Sequence, residues 1–437
     1  MSWLQRNEQL RMLPGLARWT VLALLVAVLS GTASAWFLLG LDWATATRDS
    51  HHWLLAGLPV AGAVVAWVYL RYGQSVEAGN NLLIDEVHDP KKVVPLRMAP
   101  LILVSTVISH LFGASVGREG TAVQMGGSLA DQLTHVFRLR HDDRRILLMS
   151  GISAGFASVF GTPLAGAVFG LEVLALGRMR YDALLPCVVA AVAADRVCLL
   201  WGVHHTHYDA GVLPDVTAWG LLAVAVAGLA FGCVGKLFAW ATHQLGSRFK
   251  QHVPFAPWRA ALGGLVVAAL IWGLDAWRYA GLGVPVIEEA FQHPLPWWDA
   301  PAKLVLTVLS LGSGFKGGEV TPLFFIGATL GNALAPLLHQ PYTLLAAVGF
   351  VGVFAGAANT PLACTLMAIE LFGGQVGLYA LLACTVSYLF SGHNGIYRAQ
   401  RIGQPKHPRG VAGVRLGDVD QTQAVNRPPV EPPSAER

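Results

Sequence analysis

The chain has 437 residues, of which 54% are hydrophobic and only 13% are charged, and its formal net charge is +4. Ordinary soluble domains carry about a quarter charged residues. This composition therefore excludes a soluble globular protein and indicates a membrane protein. The small positive charge gives no reason to expect a nucleic-acid partner.

Apolar segments recur from near the N-terminus to near the C-terminus. In chain order they are Trp19 to Leu41, Trp53 to Leu70, Trp219 to Val234, Ala260 to Leu274, Leu304 to Leu311, Leu344 to Ala358 and Leu378 to Phe390. Several are shorter than the ~20 residues that a straight spanning helix needs, and many contain glycine or proline. The pattern predicts an all-α integral membrane fold with tilted, broken and re-entrant helices.

The first 35 residues have features of a secretory signal, ending in Ala33-Ser34-Ala35. The apolar run continues beyond them, so we predict an uncleaved first span. The positive-inside rule places the basic clusters, and with them both termini, in the cytoplasm. These clusters are Arg6, Arg11 and Arg18; Lys91, Lys92 and Arg97; Arg138, Arg140, Arg144 and Arg145; and Arg398, Arg401, Lys406 and Arg409.

Three segments are predicted from these boundaries: a cytoplasmic N-terminal segment (1–15), a transmembrane domain (16–403) and a cytoplasmic tail (404–437). The tail is rich in proline, arginine, glutamate and glutamine, which predicts disorder. The cysteines form no C-x-x-C pair, so we interpret them as small core residues rather than disulfides or metal ligands.

The chain contains an internal duplication. GREGT at 117–121 matches GGEVT at 317–321 at an offset of 200, and TPLA at 162–165 matches TPLA at 360–363 at an offset of 198. Each TPLA is followed by a glutamate, Glu172 or Glu370. The shared order predicts two repeats, about 16–200 and about 215–400.

Repeats of this kind often have inverted topology, with the substrate site near the midplane where broken helices meet. The two G-x-E-x-T turns would then bring two helix N-termini together, and these attract an anion. A carboxylate at membrane depth is costly and usually functional, which favours such a role for Glu119 and Glu319. For Glu172 and Glu370, structural hydrogen bonding and proton traffic both remain open.

The chain resembles the CLC family of chloride channels and anion/proton antiporters over roughly residues 15–403. Gly117-Arg118-Glu119-Gly120 matches the family's G-R-E-G-P signature, which carries the gating glutamate. Gly318 begins the segment that matches the G-x-F-x-P loop, and Tyr397 matches a late tyrosine that lines the anion site from the inside. The resemblance implies a CLC-type fold with two inverted repeats and a homodimer.

Departures from the chloride transporters resemble the bacterial fluoride/proton antiporter branch of the family. Asn80 stands at the anion-binding serine, Thr121 at the proline after the gating glutamate, and Glu319-Val320 within the second loop. At the position of the inner proton relay of chloride exchangers the chain has Val173. Glu319 is therefore the candidate inner acid, with roles as inner gate or cation site left open.

The resemblance implies a fluoride/proton antiporter of the bacterial inner membrane, whose partners are fluoride, protons and membrane lipid. A site that selects fluoride needs focused hydrogen-bond donors. Suitable donors are the Asn80 amide, the Thr321 hydroxyl, backbone N–H groups near Gly120 and the Tyr397 hydroxyl. No metal or cofactor is expected. Glu119 would block the site when ionised and carry a proton when neutral, with Gly117, Arg118, Thr121 and Gly318 supporting it.

Two other functions remain as alternatives. A chloride/proton antiporter or chloride channel of the same fold is the nearer one. An intramembrane enzyme is the more distant, suggested by HHTHYD at 204–209 and by G-x-S-x-G at 113–117 and 151–155. We interpret the first as a solvated loop and the other two as close helix packing. Phe324 and Phe325 could line the ion path or belong to the core.

Overall fold

The computed structural model describes residues 8–206, 208–408 and 410–419, and it is almost entirely helical. Over these ranges the α-helices of the N-terminal half are α1 Glu8–Ser50, α2 Leu58–Val68, α3 Asn80–His88, α4 Met98–Leu111, α5 Glu119–Phe137, α6 His141–Phe160, α7 Pro163–Glu172 and α8 Leu184–Leu200. Those of the C-terminal half are α9 Ala218–His252, α10 Ala256–Gly273, α11 Val284–Gln292, α12 Asp299–Ser313, α13 Val320–Leu334, α14 Tyr342–Ala358, α15 Pro361–Phe372 and α16 Gly377–Phe390.

Short elements join these helices. The short 3-10 helices are His52–Gly57, Gln74–Val76, Tyr181–Ala183, Trp277–Tyr279, Gly374–Val376 and Leu416–Asp418, and Tyr69–Gly73 is a π-helical turn. Two-residue strands, β1 Ala175–Leu176 and β2 Arg401–Ile402, pair in parallel. Five helical segments of the described chain are long and apolar enough to cross a membrane, and α13, α14 and α15 are shorter apolar helices.

In both halves, the TPLA motif lies at the break between two consecutive helices. Gly161 (φ 71°) caps the C-terminus of α6 and Asn359 (φ 59°) caps that of α14, both in the left-handed region that favours glycine and, less strongly, asparagine. Proline then opens α7 and α15 as the first helical residue, where its missing N–H costs nothing. These breaks explain why the apolar segments look too short to span.

The two halves have the same internal packing. In the first, α1 packs against α8, and α5 packs against α6; in the second, α9 packs against α16, and α13 packs against α14. The loops before α5 and α13 meet as an antiparallel bridge between Gly117 and Gly318. Because the two loop segments run in opposite directions there, the helices that follow them also run in opposite directions. The predicted all-α fold with two inverted repeats is confirmed.

A cluster of stacked phenylalanines fills the space between the halves. The rings of Phe156 and Phe169 lie 4.2 Å apart, and those of Phe324 and Phe350 lie 4.0 Å apart. Phe160 of α6 meets Phe324 of α13 edge-on at 5.1 Å, so the cluster joins both repeats. Phe324 and Phe325 are fully buried, which favours the core role for both.

Arg144 belongs to the predicted cytoplasmic basic cluster, but it is only 3% exposed. Its guanidinium makes two 2.8 Å hydrogen bonds to the carboxylate of Asp131 on α5 and one of 2.9 Å to Glu86 on α3. Asp131 is fully buried and also accepts the backbone N–H of Val94 at 2.7 Å. The network ties α3, α5, α6 and the segment before α4 together.

Replacing Arg144 with methionine is expected to destabilise the protein by about 3–5 kcal/mol. Methionine keeps much of the volume but leaves two buried carboxylates without their cation, which is the costly way to break a buried ion pair. Thermal unfolding followed by size-exclusion chromatography in detergent measures the effect. Arg145→Met is the matched control, because the guanidinium of Arg145 contacts the His88 carbonyl at 3.1 Å and the exposed Asp142 at 3.6 Å rather than a buried carboxylate, and it should change stability by less than about 1 kcal/mol. Equal melting temperatures for the two variants would contradict this reading.

The segment from Gln404 to 419 differs from the predicted disorder wherever it is described. Gly403 and Gln404 donate backbone hydrogen bonds to Leu176, and Arg415 pairs with Asp85 at 2.7 Å. The ammonium of Lys406 is held by Asn359 and by the carbonyl of Tyr388. Composition cannot reveal such docking, because each partner lies far away in sequence. The rest of the predicted tail, 420–437, and residues 1–7 lie outside the described residues.

Candidate functional site

The site is built where the two repeats touch. Gly117 N–H donates to the carbonyl of Gly318 at 2.6 Å, and Gly318 N–H donates to the carbonyl of Gly117 at 2.7 Å. A Cβ on Gly318 would lie only 2.8 Å from the backbone nitrogen of Gly120. The glycines are therefore needed for the backbones to approach, and this approach brings the N-termini of α5 and α13 together.

Glu119, the first residue of α5, is fully buried and points its carboxylate at the N-terminus of α13. The Thr321 hydroxyl oxygen lies 2.6 Å from both carboxylate oxygens, and the Thr321 N–H donates to Oε2 at 3.0 Å. The carboxylate thus occupies a helix-end position suited to an anion. The two predicted site residues Glu119 and Thr321 are in direct contact.

Arg118 lies between this carboxylate and a cavity that the predicted orientation places on the outer side. Its Nε lies 3.4 Å from Oε1 of Glu119, and its backbone N–H donates to Oε2 at 3.3 Å. Arg118 also lines a cavity of about 730 Å³ together with Arg48 and Asp42 of α1. The predicted supporting role of Arg118 fits this geometry, since the guanidinium holds Glu119 beneath the cavity floor.

A second, smaller cavity of about 200 Å³, which the predicted orientation places on the inner side, is lined by Asn80, Glu319 and Tyr397. A Cβ on Gly120 would lie 3.0 Å from the Asn80 amide nitrogen and 3.5 Å from Oε2 of Glu319. Because Gly120 has no side chain, the Asn80 amide and the Glu319 carboxylate can both approach its backbone. The structure brings Asn80, Gly120, Glu319 and Tyr397 together at the inner side of Glu119.

Two polar atoms at this inner position are buried without a hydrogen-bond partner in the described chain: Oδ1 of Asn80 and Oε2 of Glu319. Buried polar atoms are almost always paired, so such atoms call for an explanation. An oxygen that has no fixed partner can accept a proton or meet a bound molecule. Both residues line the small cavity.

Thr121, which was predicted to support the loop, contacts α4 rather than the Glu119 carboxylate. Its hydroxyl lies 2.7 Å from that of Thr106 on α4, within the first repeat. Thr121 therefore helps to fix α4 against α5 and supports the loop indirectly. Its counterpart Thr321 is the threonine that contacts Glu119.

The loop that carries Tyr397 is anchored by polar side chains that the sequence analysis did not identify. Asn81 accepts the N–H of Ala399 at 2.9 Å, and the Gln400 amide donates to Val173 and Ala358, both at 2.8 Å. Tyr397 itself is 3% exposed. The available sequence signal was weak: Asn81 and Gln400 are polar residues close to motif positions.

Glu172 and Glu370 form a reciprocal pair between the repeats. The carboxylate of Glu172 accepts the N–H groups of Leu362 and Ala363 at 3.0 and 2.8 Å. That of Glu370 accepts those of Leu164 and Ala165 at 2.8 and 2.9 Å. Each glutamate caps the first turn of the other repeat's TPLA helix. These hydrogen bonds favour a structural role for both glutamates.

The features that suggested an enzyme do not come together as a catalytic site. His205 contacts the buried Asp195 at 3.2 Å, Asp209 accepts the N–H of Gly211, and His207 lies outside the described residues. Within the described ranges, no three His, Cys, Asp or Glu side chains are grouped as metal ligands. A Cβ on Gly155, in the second G-x-S-x-G, would lie 2.3 Å from a carbonyl of α5, as expected for close helix packing.

A duplicated helical membrane fold with a buried carboxylate at facing helix N-termini, between an outer and an inner cavity, defines an ion-transport protein. The family model described as voltage gated chloride channel matches residues 61–392. The chain belongs to this family, the CLC family, as its motifs predict.

Known relatives lie on both sides of the fluoride and chloride distinction. A "Chloride/fluoride channel protein" of Pseudomonas syringae pathovar tomato is 61% identical over 97% of this chain and 95% of its own length. A solved CLC-type fluoride/proton antiporter superposes with a TM-score of 0.85 at 38% identity, covering 88% of this chain and 98% of that structure. A cyanobacterial Cl⁻/H⁺ antiporter shares the fold, with a TM-score of 0.77 at 21% identity, over 94% of this chain and 99% of that one.

Proposed function

We propose that this protein is a fluoride/proton antiporter that exports fluoride and thereby gives resistance to it. The observation that carries the proposal is the Glu119 carboxylate at the N-terminus of α13, held by the hydroxyl and N–H of Thr321. The fluoride/proton exchange of the 38% identical solved relative supports the same substrate pair. The chain also has the Asn80, Thr121 and Glu319 of the fluoride branch.

The exchange follows from the chemistry of Glu119. When it is ionised, its carboxylate fills the anion position and closes the path between the cavities. Protonation removes the charge that the helix ends attract, so the side chain leaves and fluoride takes its place. A proton entering on Glu119 thus makes room for one fluoride leaving, which couples the two movements in a 1:1 ratio.

Fluoride selection is assigned to a compact set of donors. Fluoride holds its water strongly, so a site must replace that hydration with close, directed hydrogen bonds. The Thr321 hydroxyl contacts the Glu119 carboxylate, the Asn80 amide nitrogen approaches the Gly120 backbone, and Tyr397 lines the same small cavity as Asn80. A larger anion such as chloride would meet these donors at poorer distances.

Asn80→Ser is expected to lower the preference for fluoride over chloride by about tenfold. Serine keeps one donor but shortens the side chain and enlarges the site, and a single well-placed hydrogen bond of about 1–1.5 kcal/mol corresponds to that factor. Efflux of the two anions from one preparation, each followed with an ion-selective electrode, measures the ratio. Asn332→Ser is the matched control, because Asn332 is also a buried asparagine, but its amide donates to the carbonyls of Ala290 and His293 and it lines neither of the two cavities beside Glu119. An unchanged ratio in Asn80→Ser would remove Asn80 from the selectivity site.

The setting of this exchange is also part of the proposal. Both termini face the cytoplasm of a bacterial inner membrane, since the basic clusters lie at one side of the predicted spans. The protein acts as a homodimer with one pathway per subunit, surrounded by lipid. Cross-linking in native membranes tests the dimer, and a terminal tag read by protease accessibility tests the orientation.

Reversal potentials in proteoliposomes with opposed fluoride and pH gradients test the function. A 1:1 antiporter reverses midway between the fluoride and proton equilibrium potentials, whereas a fluoride channel reverses at the fluoride potential alone. Chloride in place of fluoride should carry little current. Proton-coupled chloride movement as fast as that of fluoride would establish the chloride/proton antiporter instead.

A further inference from the structure

Lys316 lies in the loop between α12 and α13, three residues before Glu319. It lines the cavity of about 200 Å³ that contains Asn80, Glu319 and Tyr397, and it also lines an adjoining cavity of about 470 Å³. The lysine therefore stands at the neck between the two spaces. Nothing in the exchange described above uses it.

The ammonium of Lys316 is not neutralised by a close acid. Over the described ranges Lys316 makes no salt bridge, and Glu77, which lines the same two cavities, attracts it from a longer distance. The Lys316 nitrogen lies 4.1 Å from the centre of the Tyr69 ring. A cation on a ring face keeps its N–H groups free on the other side. Its donors are therefore available to the cavity rather than committed to the protein.

The wider cavity carries a charge of one predominant sign. Its charged lining residues are the basic Lys250, Arg259, Lys316 and Arg398 and the acidic Glu77. Clefts lined by charges of one sign focus the field and concentrate the oppositely charged ion. The field in this cavity therefore attracts anions, and Lys316 lines both this cavity and the smaller one beside Asn80.

We propose that Lys316 is the fluoride-capturing residue of the inner entrance. It pairs transiently with the anion at the neck and passes it to the Asn80 and Tyr397 position. An ammonium suits this task, because it is a compact charge with three donors that can follow the moving ion. The proposal rests on the proposed function, and it adds a capture step on the cytoplasmic side to the exchange at Glu119.

Lys316→Gln tests this step in inside-out membrane vesicles, where the cytoplasmic face is exposed to added fluoride. We expect the apparent KM for fluoride to rise by about tenfold at low ionic strength, with kcat changed less, because the charge acts on capture. At about 1 M salt the wild type and variant should converge, since screening acts within a few ångströms there. In right-side-out vesicles the KM should be unchanged.

Two controls separate capture from structure. Lys316→Arg keeps the charge and should restore most of the affinity for fluoride. Lys91→Gln removes the same charge from the same predicted face at an exposed residue paired with Asp89, and it should leave the KM unchanged. If Lys316→Gln raises the KM equally at low and high salt, or if Lys316→Arg is as weak as Lys316→Gln, Lys316 is not a capture residue.

The wild-type measurement keeps the two proposals distinguishable. If wild-type vesicles show no fluoride-driven proton movement, the proposed function itself is wrong. If they show it and the Lys316→Gln variant keeps the wild-type KM for fluoride at low ionic strength, only the capture step is wrong.

Discussion

Replacing Glu119 with glutamine is expected to abolish proton movement driven by fluoride. Glutamine has nearly the same shape and can still accept a hydrogen bond from Thr321, whose hydroxyl lies 2.6 Å from the native carboxylate. It cannot bind or release a proton, so the step that links the two ions is lost. Loss of a positioned proton carrier typically costs about 10²–10⁴-fold in rate. Proton uptake by proteoliposomes loaded with fluoride, read with a pH electrode, measures it.

Glu370→Gln is the matched control for this variant. Glu370 is also a carboxylate that accepts N–H groups at the start of a helix in the other repeat. Its removal should lower thermal stability and leave the ratio of protons to fluoride unchanged. Strong fluoride-driven proton flux in Glu119→Gln would contradict the assignment of Glu119, whatever the control does.

The membrane fold and the residues around Glu119 were largely predictable from the sequence. The duplication places Glu119 and Glu319 in the same frame, and the inversion brings their loops together. Motif matches supplied Asn80 and Tyr397, which the structure places on one small cavity. These predictions succeed because repeats and motifs are local patterns that impose a known long-range arrangement.

Other parts of the site depend on contacts that no local pattern encodes. Arg144 fits a cytoplasmic positive cluster by position, and only the folded chain places two carboxylates around it. The same holds for Lys316, whose neighbours Tyr69 and Lys250 lie in different helices or turns. A charge that looks solvated in sequence can thus be structural or functional, depending on what faces it.

The symmetry of the duplication helps to separate structural from functional carboxylates. Glu172 and Glu370 cap each other's repeats, so their arrangement is symmetric and fully hydrogen-bonded. Glu119 contacts the helix of the second repeat, but its counterpart Glu319 does not return the contact and leaves Oε2 unpaired in the described structure. The departure from symmetry occurs where the two cavities approach each other. We therefore propose that Glu119 and Glu319, the asymmetric pair, carry out transport.

Glu319→Gln is expected to uncouple the two ions: proton flux should fall by about 10²-fold, while fluoride still crosses. Glu319 lines the inner cavity with an unpaired carboxyl oxygen, which suits a group that exchanges protons with the cytoplasm. Glutamine retains the shape beside Gly120, so the fluoride path stays intact. The reversal potential should accordingly move from midway between the two equilibrium potentials toward that of fluoride.

Glu77→Gln decides whether this effect belongs to Glu319 or to any acid on the inner side. Glu77 lines the same cavity and is exposed, so its loss should leave the reversal potential where it is. A shift in Glu77→Gln with none in Glu319→Gln would make Glu77 the inner proton relay. If Glu319→Gln instead stops the movement of both ions, Glu319 acts as an inner gate. Loss of a proton relay alone would stop proton movement and leave fluoride free to cross.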